Sequence, residues 1–177
     1  MTPHATGLLH DAWCVVFCCV VALAALGCDQ RLAENTPVQP IAFSHKVHAG
    51  ENGLDCQFCH AYARRSPVAG IPSLQRCAGC HRPLVASKRE AAKPEVQKLL
   101  DFSDKKEPIP WVRVYDLPDH VYFSHRTHVH AEVRCQTCHG AVETMDQVSQ
   151  VAPLTMGWCV NCHRERNASQ DCLVCHR

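Results

Sequence analysis

Ten of the fourteen cysteines stand in five copies of one pattern, each closed by a histidine. They are Cys56-Gln-Phe-Cys59-His60, Cys77-Ala-Gly-Cys80-His81, Cys135-Gln-Thr-Cys138-His139, Cys159-Val-Asn-Cys162-His163 and Cys172-Leu-Val-Cys175-His176. Two thiols three positions apart suit a disulfide, a zinc half-site, a dithiol redox pair or the covalent attachment of a c-type haem. The histidine decides among them. A zinc site would pair one Cys-x-x-Cys with a second ligand pair and leave five adjacent histidines without a purpose. In haem attachment the two thiols bond to vinyl-derived carbons on one porphyrin edge, and the next residue supplies the iron's proximal imidazole. The pattern therefore predicts five covalently bound c-type haems, with proximal ligands His60, His81, His139, His163 and His176.

A haem iron has a second axial position, and a low-spin electron carrier fills it. The stretch Phe43-Ser-His-Lys-Val-His48 recurs as Phe123-Ser-His-Arg-Thr-His128, at an offset of 80 residues. Side chains three apart on a helical turn point to the same side, so His45, His48, His125 and His128 are expected distal ligands, each pair reaching two haems. The fifth distal ligand is open. Met156, just before the fourth motif, and Met145 are the first candidates, because a thioether would raise that haem's potential. His130 and His120 are the alternatives.

Those ligands need a chain to place them. The offset of 80 marks an internal duplication, 41–81 and 121–163, with the fifth motif, 172–176, appended. The two motifs of a copy start 21 residues apart in the first and 24 in the second. Between the copies, residues 85–102 are expected to form one or two short helices, with Pro94 suited to a first turn. Residues 111–123 are β-branched and aromatic but broken by Pro118, which predicts an extended lead-in. Long apolar periodic segments are few, so residues 41–177 must build their interior from something besides side chains. The expected fold is a multihaem cytochrome c: mostly loops with short α-helices wrapped around a haem core, and little β.

Upstream, residues 12–27 are apolar and uncharged, short of the ~20 residues a membrane span needs, and they suit a signal peptide. Ala25-Leu26-Gly27-Cys28 resembles a lipoprotein box, so residues 1–28 are expected to be a signal peptide with Cys28 as the lipidated residue; ordinary small-residue cleavage at Ala22-Leu23-Ala24 is the alternative. Residues 29–40 are a polar linker. Lipidation would hold the chain at the periplasmic face of the cell membrane, and haem attachment also occurs outside the cytoplasm.

The stretches "CQFCHAYARRSPVAGIPSLQRCAGCH" and "WVRVYDLPDHVYFSHRTHV", with "LTMGWCVNCHRER", resemble the pentahaem cytochrome c subunit of alternative complex III. That bacterial complex is a quinol:electron-acceptor oxidoreductase. The resemblance spans most of residues 41–177 and extends to class III multihaem cytochromes. It implies an iron–sulfur/molybdopterin-like subunit, polytopic quinone-binding subunits and a monohaem cytochrome c or oxidase as partners.

The formal net charge of +1 gives no global field to draw nucleic acid. No acid–base pair, nucleophile constellation or phosphate loop stands out, so no residue is assigned catalysis. The expected role is an electron-transfer subunit of a membrane quinol-oxidising complex. The alternative is a free-standing periplasmic or surface electron shuttle.

Overall fold

The computed structural model describes residues 36–86 and 94–176. The proposed signal peptide, Cys28 and the linker up to residue 35 lie outside the described residues. Seven α-helices occur among the latter: α1 (Cys56–Cys59), α2 (Leu74–Ala86), α3 (Pro94–Lys105), α4 (His125–His130), α5 (Cys135–His139), α6 (Met156–Glu165) and α7 (Cys172–Cys175). A π-helical turn covers Lys46–Glu51, and 3-10 turns cover Ala61–Arg64 and Val142–Thr144. No strand forms among the described residues; the β structure there is a single isolated antiparallel bridge, Val121 with His176. Loops and short helices are what the sequence predicts.

Local chemistry explains the short helices. The Asp55 carboxylate accepts from the Gln57 amide at the start of α1, and Asp171 accepts from Leu173 at the start of α7. Thr155 does the same for Trp158 ahead of α6. Such caps satisfy amides that a one-turn helix cannot bond internally. Helix α3 opens on Pro94, carries Glu95 in its first turn and ends on Lys105, in accord with its dipole. It buries Val96, Leu99 and Leu100, and Ala78 of α2 packs against Val96 and Leu100. An exposed pair between Arg82 and Asp104 also ties α2 to α3.

That small cluster is the largest piece of ordinary core. The other buried apolar residues among those described are Ile41, Ala63 and Ala152, and no large side chain is fully buried. Backbone contacts between the two repeats organise the rest, and they are reciprocal. The Lys46 amide donates to the Met145 carbonyl at 3.0 Å, and the Ser44 hydroxyl donates to Asp146 at 2.8 Å. In the other direction, the His125 and Arg126 amides donate to the Pro67 and Ser66 carbonyls, at 3.0 and 3.1 Å. Each Phe-Ser-His-x-x-His element is thus docked on the segment that follows the first Cys-x-x-Cys-His of the opposite copy. The contact is close: a Cβ at Gly50 would run into the Glu143 carbonyl.

Residues 111–123 run extended, with a bend at 114–115 and a turn at 119–120. The Gln39 side-chain amide bonds both the carbonyl and the amide of Val112, at 2.9 and 3.0 Å. No helix among the described residues is long and apolar enough to cross a membrane.

A candidate multihaem site

Each motif's histidine sits at or just past the end of a short helix, or inside α2 and α6, within one residue of its second cysteine. The structure sets a second imidazole opposite every one. His45 faces His60 with ring centroids 6.5 Å apart, and His48 faces His81 at 5.9 Å. His125 faces His139 at 6.3 Å, and His128 faces His163 at 6.0 Å. His120 faces His176 at 5.7 Å.

These separations have a simple meaning. A metal–imidazole bond is roughly 2.0–2.1 Å, so two in line, with half a ring added at each end, put the ring centres roughly 6 Å apart. All five pairs match a single ion held between two ring nitrogens.

Five of the ten rings are also held by a backbone carbonyl at 2.6–2.9 Å. Nδ1 of His60 lies 2.7 Å from the Gly70 carbonyl, that of His48 2.7 Å from Ser44, and that of His125 2.9 Å from Pro67. Nδ1 of His128 lies 2.8 Å from the Ser124 carbonyl and that of His163 2.6 Å from Ser169. A carbonyl only accepts, so in these five rings Nδ1 carries the proton and Nε2 is left with its lone pair free. Fixing the tautomer through the remote nitrogen is how proteins prepare histidine for metal. Gly70 meets this demand with φ +72°, where a Cβ would press on Tyr62. Burial, followed by the neighbouring His60, His48 and His139, lowers His45 from 6.5 to about 4. Burial, with His125 and His60 beside it, lowers His139 as well. Both imidazoles are held neutral, the form that binds metal.

The repeated phenylalanine orients both histidines of its element. Phe43 meets His45 edge-on, at 4.8 Å and 87°, and lies over His48 at 4.3 Å and 26°. Phe123 does the same to His125, at 4.9 Å and 88°, and to His128, at 4.4 Å and 33°. The outcome is two classes of pair. His45/His60 and His125/His139 have nearly parallel rings, at 7° and 11°, while His48/His81 and His128/His163 are tilted by 55° and 50°. Ligand-plane angle sets the anisotropy of a low-spin ferric signal. Phe43→Leu is expected to move the electron paramagnetic resonance signals of two of the five haems while all five stay attached, and Phe43→Tyr to restore them. A Phe43→Leu spectrum identical to the parent's would show that the ring has no orienting role.

The thiols fit attachment better than thiol chemistry. Burial is the leading cause that raises Cys59, Cys77, Cys138 and Cys159 above their ordinary range, and it does the same for Cys56, helped by Cys135. A redox or zinc cysteine needs the opposite, a depressed thiol. All ten motif cysteines are unpaired with one another, and no cluster of three or more His, Cys, Asp or Glu suited to a metal ion occurs among the described residues. The residues present fit haem: two thiols and two facing imidazoles at each of five places.

The remaining candidates lie elsewhere. Met156 opens α6 with 71% of its surface exposed. Met145 packs its methyl toward Gly140, and its carbonyl receives the Lys46 amide. His130 points Nε2 at the Arg64 carbonyl, 3.2 Å away. His120 is the one that meets His176. A backbone strap places it there: the Tyr122 amide donates to the Cys175 carbonyl at 2.7 Å, beside the bridge between Val121 and His176. A count favours histidine over methionine, though it leaves His120 and His130 as equals. Residues 41–177 hold eleven histidines, five proximal, so five distal partners can all be histidine with one to spare.

Residues 121–177 match the family model described as cytochrome c7 and related cytochrome c. The chain is also 28% identical over 165 residues to the multihaem cytochrome c subunit of menaquinone reductase from Nitratidesulfovibrio vulgaris, covering 78% of this chain and 77% of that relative.

Proposed function

We propose that this chain, a multihaem cytochrome c, carries five bis-histidine c-type haems as the electron-transfer subunit of a membrane quinone-oxidoreductase complex. The observation that carries the reading is the set of five facing imidazole pairs. Bound between them, haem iron supplies one-electron redox chemistry. The facing histidines would hold each iron between two imidazoles and leave none open to a substrate. The paired thiols would attach each haem covalently, and backbone carbonyls at Nδ1 hold His48, His60, His125, His128 and His163 in place. His120 and His176 form the fifth pair.

The relative's name supports a quinone-linked complex as the partner. The resemblance to the alternative complex III subunit supports quinol oxidation, with electrons passed on to a periplasmic cytochrome or oxidase through iron–sulfur and polytopic quinone-binding partners. The relative's name, menaquinone reductase, supports the reverse direction. The same reading puts the chain at the periplasmic face, with Cys28 acylated; labelled palmitate retained by the parent and lost in Cys28→Ser would bear on that anchor.

Detergent extraction of membranes under mild conditions tests the assignment. The chain is expected to elute with polytopic subunits, and the isolated complex to exchange electrons between a quinone and a cytochrome. Elution as a lone monomer would support the free-standing shuttle instead.

A further inference from the structure

The five sites have definite neighbours, and the neighbours are not in the order of the sequence. His45 and His48 share one turn and serve the first and second motifs, which places those two sites side by side. Arg76, next to Cys77, lies over the Phe58 ring of the first motif, 5.0 Å from its centroid. His125 and His128 share α4 and join the third and fourth motifs in the same way.

Two further junctions complete the set. A cleft is lined by Asp55, Cys56 and Gln57 on one side and Arg134, Cys135 and Gln136 on the other. Cys56 and Cys135 thus face one cleft, close enough for each thiol to perturb the other, and His60 lies within electrostatic reach of His139. This junction is where the two repeats grip each other through Pro67 and His125 and through Met145 and Lys46. Nδ1 of His163 lies 2.6 Å from the Ser169 carbonyl, three residues before Cys172, which sets the fourth motif beside the fifth, and Cys175 is near enough to perturb Cys159. Four junctions thus connect five sites.

Resting on the five-haem reading, we propose that the sites form one unbranched row: 77–81, 56–60, 135–139, 159–163, 172–176. The second motif, not the first, stands at one end, and the two repeats meet between the first and third. The terminal sites are His48/His81 and His120/His176. The first has the α2–α3 pair beside it, and at the second Leu173 and Val174 are 75% and 45% exposed.

Nuclear Overhauser contacts between haem protons in the fully reduced, diamagnetic holoprotein test the order without any variant. Expected are contacts between the haem on Cys56 and those on Cys77 and Cys135, and between the haem on Cys159 and those on Cys138 and Cys175. Contacts that place the Cys77 haem beside the Cys135, Cys159 or Cys172 haem would overturn the row. As a second measurement, His48→Met and His120→Met each raise the potential of one haem. Its reduction is expected to shift the methyl resonances of one other haem, whereas in His125→Met two others shift. Two shifted neighbours in either terminal variant would also overturn the row. The protein is studied alone, so failure to join a membrane complex leaves this test unaffected, and a haem count below five appears separately in the intact mass.

Discussion

Replacing His120 by Ala is expected to convert a protein that binds no carbon monoxide into one that binds a single molecule per chain. The strap that sets His120 against His176 consists of backbone contacts, the bridge at Val121 and the bond from Tyr122 to Cys175. Losing the imidazole therefore leaves the strap and the Cys172–Cys175 attachment in place. An iron held at His176 would then lack its second imidazole and be open to a ligand. Ferrous, five-coordinate haem takes carbon monoxide, and a shift in the reduced visible spectrum equal to about one-fifth of the total haem reads it. Met156→Leu and Met145→Leu are the controls, expected to leave the spectrum and the lack of carbon monoxide binding unchanged. Should Met156→Leu open a site while His120→Ala does not, the fifth pair is wrongly assigned.

The second large effect concerns folding. Ile41, Val96, Leu99 and Leu100 are the only buried apolar side chains larger than alanine among the described residues. Ordering each residue of a chain costs about 1–2 kcal/mol of backbone entropy, and a burial set this small does not offset it over the whole unit. The haems must do so, and those at the junction of the repeats matter most, because Cys56 and Cys135 lie where the two copies meet. The variant with Cys56, Cys59, Cys135 and Cys138 all changed to Ala is expected to lose its cooperative thermal transition and to be cleaved throughout by a nonspecific protease. Changing Cys172 and Cys175 to Ala removes an end site and is expected to leave a protease-resistant product with four haems. A four-alanine junction variant that still melts cooperatively would show that side-chain packing suffices.

Much of this was visible in the residues because attachment chemistry is local. Two thiols and a histidine within five positions mark each candidate haem site with no help from the fold. The repeat at an offset of 80 likewise singles out His45, His48, His125 and His128, which the structure sets against motif histidines, and Pro94 marks the start of α3. The pairings were less visible. Which imidazole faces which depends on contacts such as the His125 amide to Pro67, 58 residues away, and on carbonyls that carry no side-chain signature. His120 was the least visible. It lies outside the repeated element, and what positions it is the backbone at Val121 and Tyr122. Methionine before the fourth motif drew attention by residue type, whereas Met156 faces solvent at the start of its helix.

The order of the sites was hidden for a related reason. Sequence counts motifs from the amino end, but the reciprocal docking of the two Phe-Ser-His-x-x-His elements brings Cys56 to Cys135 and leaves Cys77 to Cys80 at the outside.

All of it rests on ten thiols and ten facing imidazoles holding five macrocycles. The intact mass of the mature holoprotein under denaturing conditions tests that most directly. It is expected to equal the processed chain plus five covalently bound haems; a mass corresponding to four or fewer would contradict the account.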